Sequence, residues 1–88
     1  MTYRVRTTEQ FDKQLSKLDK FASRTILKWL AKNLEGVANP RSIGKRLVGN
    51  YSGKWRYRVG DYRVICKIED EELIVLALEV GHRKKVYK

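Results

Sequence analysis

The 88-residue sequence predicts an α+β fold from three observations. Apolar and basic residues alternate with a period of two near the N-terminus and again from residue 55 to residue 69, the signature of half-buried strands. Between these stretches, apolar residues recur at spacings of three and four, the signature of amphipathic helices. A continuous apolar run, Leu73-Ile74-Val75-Leu76-Ala77-Leu78, follows the second alternating stretch. These fit one domain, residues 1–88. Its N-terminal strand and two-helix antiparallel hairpin pack on one face of a small, mainly antiparallel sheet.

Tyr3 and Val5 alternate with Arg4 and Arg6, which predicts a short first strand. Thr7 as N-cap with Gln10 three residues on makes a capping box that starts the first helix. Phe11, Leu15 and Leu18 form its apolar stripe, and Asp19-Lys20 breaks it. A second helix runs from Phe21 to Leu34 with Ile26, Leu27, Leu30, Ala31 and Leu34 as its apolar face, and Trp29 to one side over the helix–helix seam. Gly36 suits its end, and Asn39-Pro40 cannot continue it. The very short link between the helices makes them antiparallel. Lys13, Lys17 and Lys20 line one side of the first helix, and Arg24, Lys28 and Lys32 line the second. Such stripes either track a nucleic-acid backbone or are ordinary solvated faces.

Arg41 to Asn50 reads as a loop, with Gly44-Lys45-Arg46 flexible and basic and a strand beginning at Leu47-Val48. It lacks the spacing of a phosphate-binding P-loop. From Trp55 the chain becomes a hairpin. Trp55, Tyr57 and Val59 alternate with Arg56 and Arg58; Tyr62, Val64, Cys66 and Ile68 alternate with Arg63, Lys67 and Glu69. Gly60-Asp61 is a two-residue turn whose leading glycine suits type II′. That length pairs Val59 with Tyr62, Arg58 with Arg63 and Tyr57 with Val64. Like charges directly opposite one another destabilise a sheet, and arginine cannot shed its proton to relieve them. Either an anion sits between the guanidinium groups or they splay into water. The apolar run at 73–78 is expected as an inner strand buried on both faces. The turn Asp70-Glu71-Glu72 decides the face of Glu79, and a three-residue turn places it with the arginines.

Twenty Lys and Arg against ten Asp and Glu give a formal net charge of +10. So large an excess in one small domain calls for a polyanionic or acidic partner. No apolar stretch is long enough to span a bilayer, and residues 1–6 contain no signal-peptide core. A lone cysteine on the apolar side of its strand reads as a packed thiol, and with these features predicts a cytoplasmic protein. One His and one Cys far apart predict no metal site, and no cofactor is expected.

Trp55-Arg56-Tyr57-Arg58, Gly60-Asp61-Tyr62-Arg63-Val64, and the ending Leu78-Glu79-Val80-Gly81-His82-Arg83 with Val86-Tyr87 resemble the RelE branch of the RelE/ParE superfamily of toxin–antitoxin toxins. The element order resembles that family over essentially the whole chain. The resemblance implies a type II toxin that cuts mRNA in the ribosomal A site by attack of a ribose 2′-OH on the adjacent phosphate. It also implies a cognate antitoxin, bound in a hetero-oligomer. Carried over, the family's positions fall on Arg56, Arg58, Arg63, Arg83 and Tyr87. Some relatives have lysine at the strand positions, and Arg58 cannot act as a base. His82 is then the candidate general base or acid, Arg58, Arg63 and Arg83 the phosphate clamp, and Tyr87 a stacking or orienting group. Lys45, Arg46, Arg56 and Lys67 are expected to position mRNA or ribosomal RNA, and Glu79 to relay a proton. A ParE-like toxin that inhibits DNA gyrase without cutting RNA, and a non-catalytic RNA-binding protein, are the alternatives.

Overall fold

The computed structural model describes residues 1–82. In chain order it has β1 (Arg4–Thr7), α1 (Glu9–Ser16), α2 (Lys20–Asn33), β2 (Lys45–Arg46), β3 (Trp55–Val59), β4 (Tyr62–Glu69) and β5 (Ile74–His82), with 3-10 turns at Pro40–Ile43 and Gly49–Tyr51. The strands form one five-stranded sheet in the order β1-β5-β4-β3-β2. β1 runs parallel to β5 and every other neighbouring pair is antiparallel. The α+β class and mainly antiparallel sheet are as expected.

Both helices start at side-chain caps, one residue away from where the sequence pointed. Thr8, not Thr7, caps α1: its Oγ1 accepts from the Phe11 amide at 3.1 Å. Thr7 is taken up by β1, where it pairs with Ala77. No capping box forms, because Phe11 rather than Gln10 stands three residues past the cap. Asp19 caps α2 by accepting from the Ala22 amide at 2.8 Å, so the helix begins at Lys20. Satisfying these otherwise orphaned amides contributes about 1 kcal/mol per cap.

One face of the sheet carries the core. Phe11, Ile26, Leu30 and Leu34 pack with Tyr57, Val59, Val64, Cys66, Val75, Ala77 and Val80. Leu27 and Ala31 fall off the buried stripe of α2 and are exposed. Trp29 covers the sheet rather than the helix–helix seam, its ring 5.9 Å from that of Tyr57. Tyr57 is fully buried, and its hydroxyl donates to the Pro40 carbonyl at 2.7 Å. A Cβ at Gly44 would lie 2.9 Å from the Tyr57 ring. This close approach seats the 40–46 segment against β3, and β2 forms at Lys45–Arg46 instead of Leu47–Val48. Leu47 is buried and donates its amide to the Lys54 carbonyl, while Val48 is exposed.

β5 is an inner strand, but only its helix side is deeply buried. Val75, Ala77 and Val80 lie there; Ile74, Leu76 and Leu78 are half-buried, since among the described residues no second layer of helices covers the other face. The turn before it has four residues, Asp70–Leu73, with Leu73 in the left-handed region at φ +56°. Asp70 ties this turn to the rest of the fold. Arg41 donates to both its carboxylate oxygens, at 3.0 and 2.7 Å, and the Tyr3 hydroxyl donates at 2.5 Å. Arg41 also lies over the Trp55 ring, 5.8 Å from its centroid.

Candidate nucleic-acid interface

The β3–β4 hairpin has the register its turn length dictates: Val59 opposite Tyr62, Arg58 opposite Arg63, Tyr57 opposite Val64. Gly60 has φ +60° and Asp61 is not in the positive-φ region, the type II′ pattern. In a hairpin of this kind the residues flanking the turn form the hydrogen-bonded pair. Arg58 and Arg63 therefore form the closer, non-hydrogen-bonded pair, with Cα atoms about 4.5 Å apart. Tyr57 and Val59 are buried beneath the helices, so the alternating arginines point to the opposite face, which no described helix covers.

Two rows of side chains cross that face. Lys45 pairs with Arg56, Arg56 with Ile65, and Ile65 with Glu79; beside them, Arg58 pairs with Arg63, and Arg63 with Gly81. Lys67 shares the face and forms a 3.2 Å ion pair with Glu69. Lys45 and Arg46 do not act as a pair. The pleat sends Lys45 to the arginine face and Arg46 to the helix side, in register with Trp55.

Glu79 joins the arginines by a route the sequence did not reveal. The four-residue turn sets Glu69 opposite Ile74, which would put even-numbered β5 residues on this face. A bulge opposite Ile65 and Cys66 then inserts Leu78, with Cys66 facing Ala77 and Ile65 facing Glu79. The extra residue reverses the alternation. Glu79 accepts a hydrogen bond from Tyr51, whose phenol is pushed up by burial and further by that carboxylate. Tyr51 precedes β3, so reaching β5 carries it across the sheet above Ile65, which is fully buried. No local sequence pattern links positions 51 and 79.

The same bulge separates His82 from the arginines. His82 is in register with Tyr62, on the helix side, and its ring meets that of Tyr62 edge-on at 5.9 Å. There it borders a groove of about 470 Å³ together with Gln14, Lys17 and Leu18 of the first helical segment. The expected grouping of His82 with Arg58 and Arg63 is thus corrected: they lie on opposite sides of the sheet. Arg83 and Tyr87 lie outside the described residues. Cys66 is buried, and burial pushes its thiol far up, which suits a packed rather than a reactive sulfur. Among the described residues, no group of three His, Cys, Asp or Glu could hold a metal ion, and no helix is long and apolar enough to cross a membrane.

Residues 5–87 match the family model described as the ParE toxin of the type II toxin–antitoxin system. The chain belongs to the RelE/ParE family of type II toxins. It is 31% identical to Toxin RelG of Mycobacterium tuberculosis over 88 residues, covering 100% of this chain and 99% of that toxin. A chain of the RelBE2 toxin–antitoxin complex from M. tuberculosis superposes with a TM-score of 0.82 at 28% identity, covering 94% of this chain and 93% of that one. A chain of the archaeal RelE–RelB complex from Pyrococcus horikoshii OT3 gives 0.70 at 30% identity, covering 98% and 100%. This RelE/ParE toxin therefore has the fold of RelE-type proteins along nearly its whole length.

Proposed function

We propose that this toxin is a ribosome-dependent endoribonuclease that cleaves mRNA in the A site. The observation that supports this most strongly is the uncovered sheet face, where the Arg58–Arg63 pair and the Lys45–Arg56 pair converge beside one carboxylate, Glu79. An RNA phosphate seated between Arg58 and Arg63 would convert their mutual repulsion into binding. The same guanidinium groups would stabilise the extra charge of the phosphorane. Arg56, Lys45 and Lys67 would hold the flanking backbone.

In the reaction, the ribose 2′-oxygen forms a bond to phosphorus while the bond from phosphorus to the 5′-oxygen breaks. The products are a 2′,3′-cyclic phosphate and a 5′-hydroxyl. Glu79, oriented by Tyr51, accepts the 2′-OH proton in this scheme, in place of His82, and solvent water supplies the proton that the departing 5′-oxygen takes up. Arg83 and Tyr87 keep the roles implied by the family: a third clamp residue and a group that stacks on a base or orients the 2′-OH. In this scheme the ribosome supplies the substrate geometry. The relatives solved as toxin–antitoxin complexes support a cognate antitoxin for this chain, held in a hetero-oligomer.

The ParE description of the matching family favours a second reading, inhibition of DNA gyrase without RNA cleavage. Incubating the purified toxin with mRNA, with and without programmed ribosomes, separates the two. The proposal expects cleavage only with ribosomes. Intact mRNA together with blocked gyrase supercoiling would select the alternative.

A further inference from the structure

The helix layer carries a second cationic surface that the proposed nuclease site does not use. Ala22, Ile26 and Leu30 turn one side of α2 into the core, while Lys20, Arg24, Lys28 and Lys32 are exposed on the other. Four-residue spacing sets these charges about 6 Å apart along roughly 18 Å of helix axis. They face away from the sheet, so this stripe and the arginine face lie on opposite sides of the molecule.

The stripe is unfavourable for the helix that bears it. Like charges at i and i+4 repel, and this ladder contains three such pairs: 20 with 24, 24 with 28, 28 with 32. Asp19 at the N-cap complements the helix dipole, but the first turn itself has no acidic residue and Lys20 stands at the positive end. No Asp or Glu occurs anywhere in Lys20–Asn33. On α1, by contrast, Glu9 and Asp12 occupy the first turn and Lys13 pairs with Glu9 at 3.7 Å. A solvated face selected for helix stability alone would resemble α1.

We infer that the Lys20–Arg24–Lys28–Lys32 stripe of α2 is a docking surface for the phosphate backbone of a structured RNA, so that the toxin is held by RNA on both sides. The inference rests on the RNA reading of the sheet face for the identity of the polyanion. A rigid row of charges spaced evenly along the helix, with no carboxylate in Lys20–Asn33, is complementary to a phosphate backbone; exposed Phe21 and Leu27 flank the row, so a protein occupant is the outcome the test has to separate.

The test is equilibrium binding of full-length toxin to ribosomes without mRNA, across salt concentration. Wild type is compared with Lys28→Glu and with a variant carrying Gln at all four positions. The slope of log K against log salt should shrink by roughly 3 to 4 in the fourfold variant and roughly 1 to 2 in Lys28→Glu. Lys28→Glu replaces two repulsive pairs by attractive ones, so its melting temperature should rise while its RNA affinity falls. A lower melting temperature for Lys28→Glu would contradict the repulsion on which the inference stands. Equal affinity and slope in wild type and the fourfold variant would overturn it, as would loss of antitoxin affinity with ribosome affinity intact. If wild type itself fails to bind ribosomes, the reading of the sheet face fails instead.

Discussion

Arg58 and Arg63 are placed opposite one another by a two-residue turn, and neither can discharge. Removing either relieves repulsion in the free protein and, on the proposed function, takes away a phosphate contact in the complex. Arg58→Ala and Arg63→Ala should each lower cleavage by roughly 10²–10³-fold, the usual loss for one group that stabilises a developing oxyanion. Thermal melts of the same samples should show no loss of stability. Glu79→Gln should slow single-turnover cleavage by roughly 10²–10⁴-fold, whereas His82→Ala should stay within about tenfold of wild type. The arginines were legible in the sequence because strict alternation assigns faces. Glu79 and His82 were not, because one bulged residue in an unbroken apolar run changes the face of everything after it. Glu79 reached the expected face only because a longer turn and the bulge offset each other.

At the scale of elements, the hairpin and the β4–β5 turn hold the site in register. Gly60 has open space around its Cα, so a methyl group there meets no neighbour and only backbone strain is felt. Gly60→Ala should therefore destabilise by about 1–2 kcal/mol, measured by urea unfolding. The β4–β5 turn depends on Asp70, whose carboxyl is held low by the Arg41 hydrogen bonds and then by Tyr3. Tyr3 is in turn pushed up by its hydrogen bond to Asp70. A depressed folded pKa contributes stability above the unfolded carboxyl value, about 3.9, that is lost as pH falls through the folded one. A raised tyrosine pKa contributes below about 10 and is lost as pH climbs to its folded value. Stability against pH should show both limbs, and Asp70→Asn should reduce both. Strand and helix types were legible from periodicity and caps. The cluster of Tyr3, Arg41 and Asp70 was not, since its members are 29 to 67 residues apart.

The whole sequence carries a formal net charge of +10, and the described residues set basic side chains on two opposite sides of a small sheet. Composition predicts a partner of negative charge, and the proposed function seats one on the sheet face. The central claim is that the sheet face acts on an RNA phosphate. Its most direct test is the chemistry of the cut ends after wild-type toxin or the Arg58→Ala/Arg63→Ala double variant is mixed with mRNA-programmed ribosomes. The account predicts A-site fragments ending in 2′,3′-cyclic phosphate and 5′-hydroxyl with wild type, and uncut mRNA with the variant. Uncut mRNA with a wild-type toxin that still arrests growth, or the same fragments from the double variant, would contradict it.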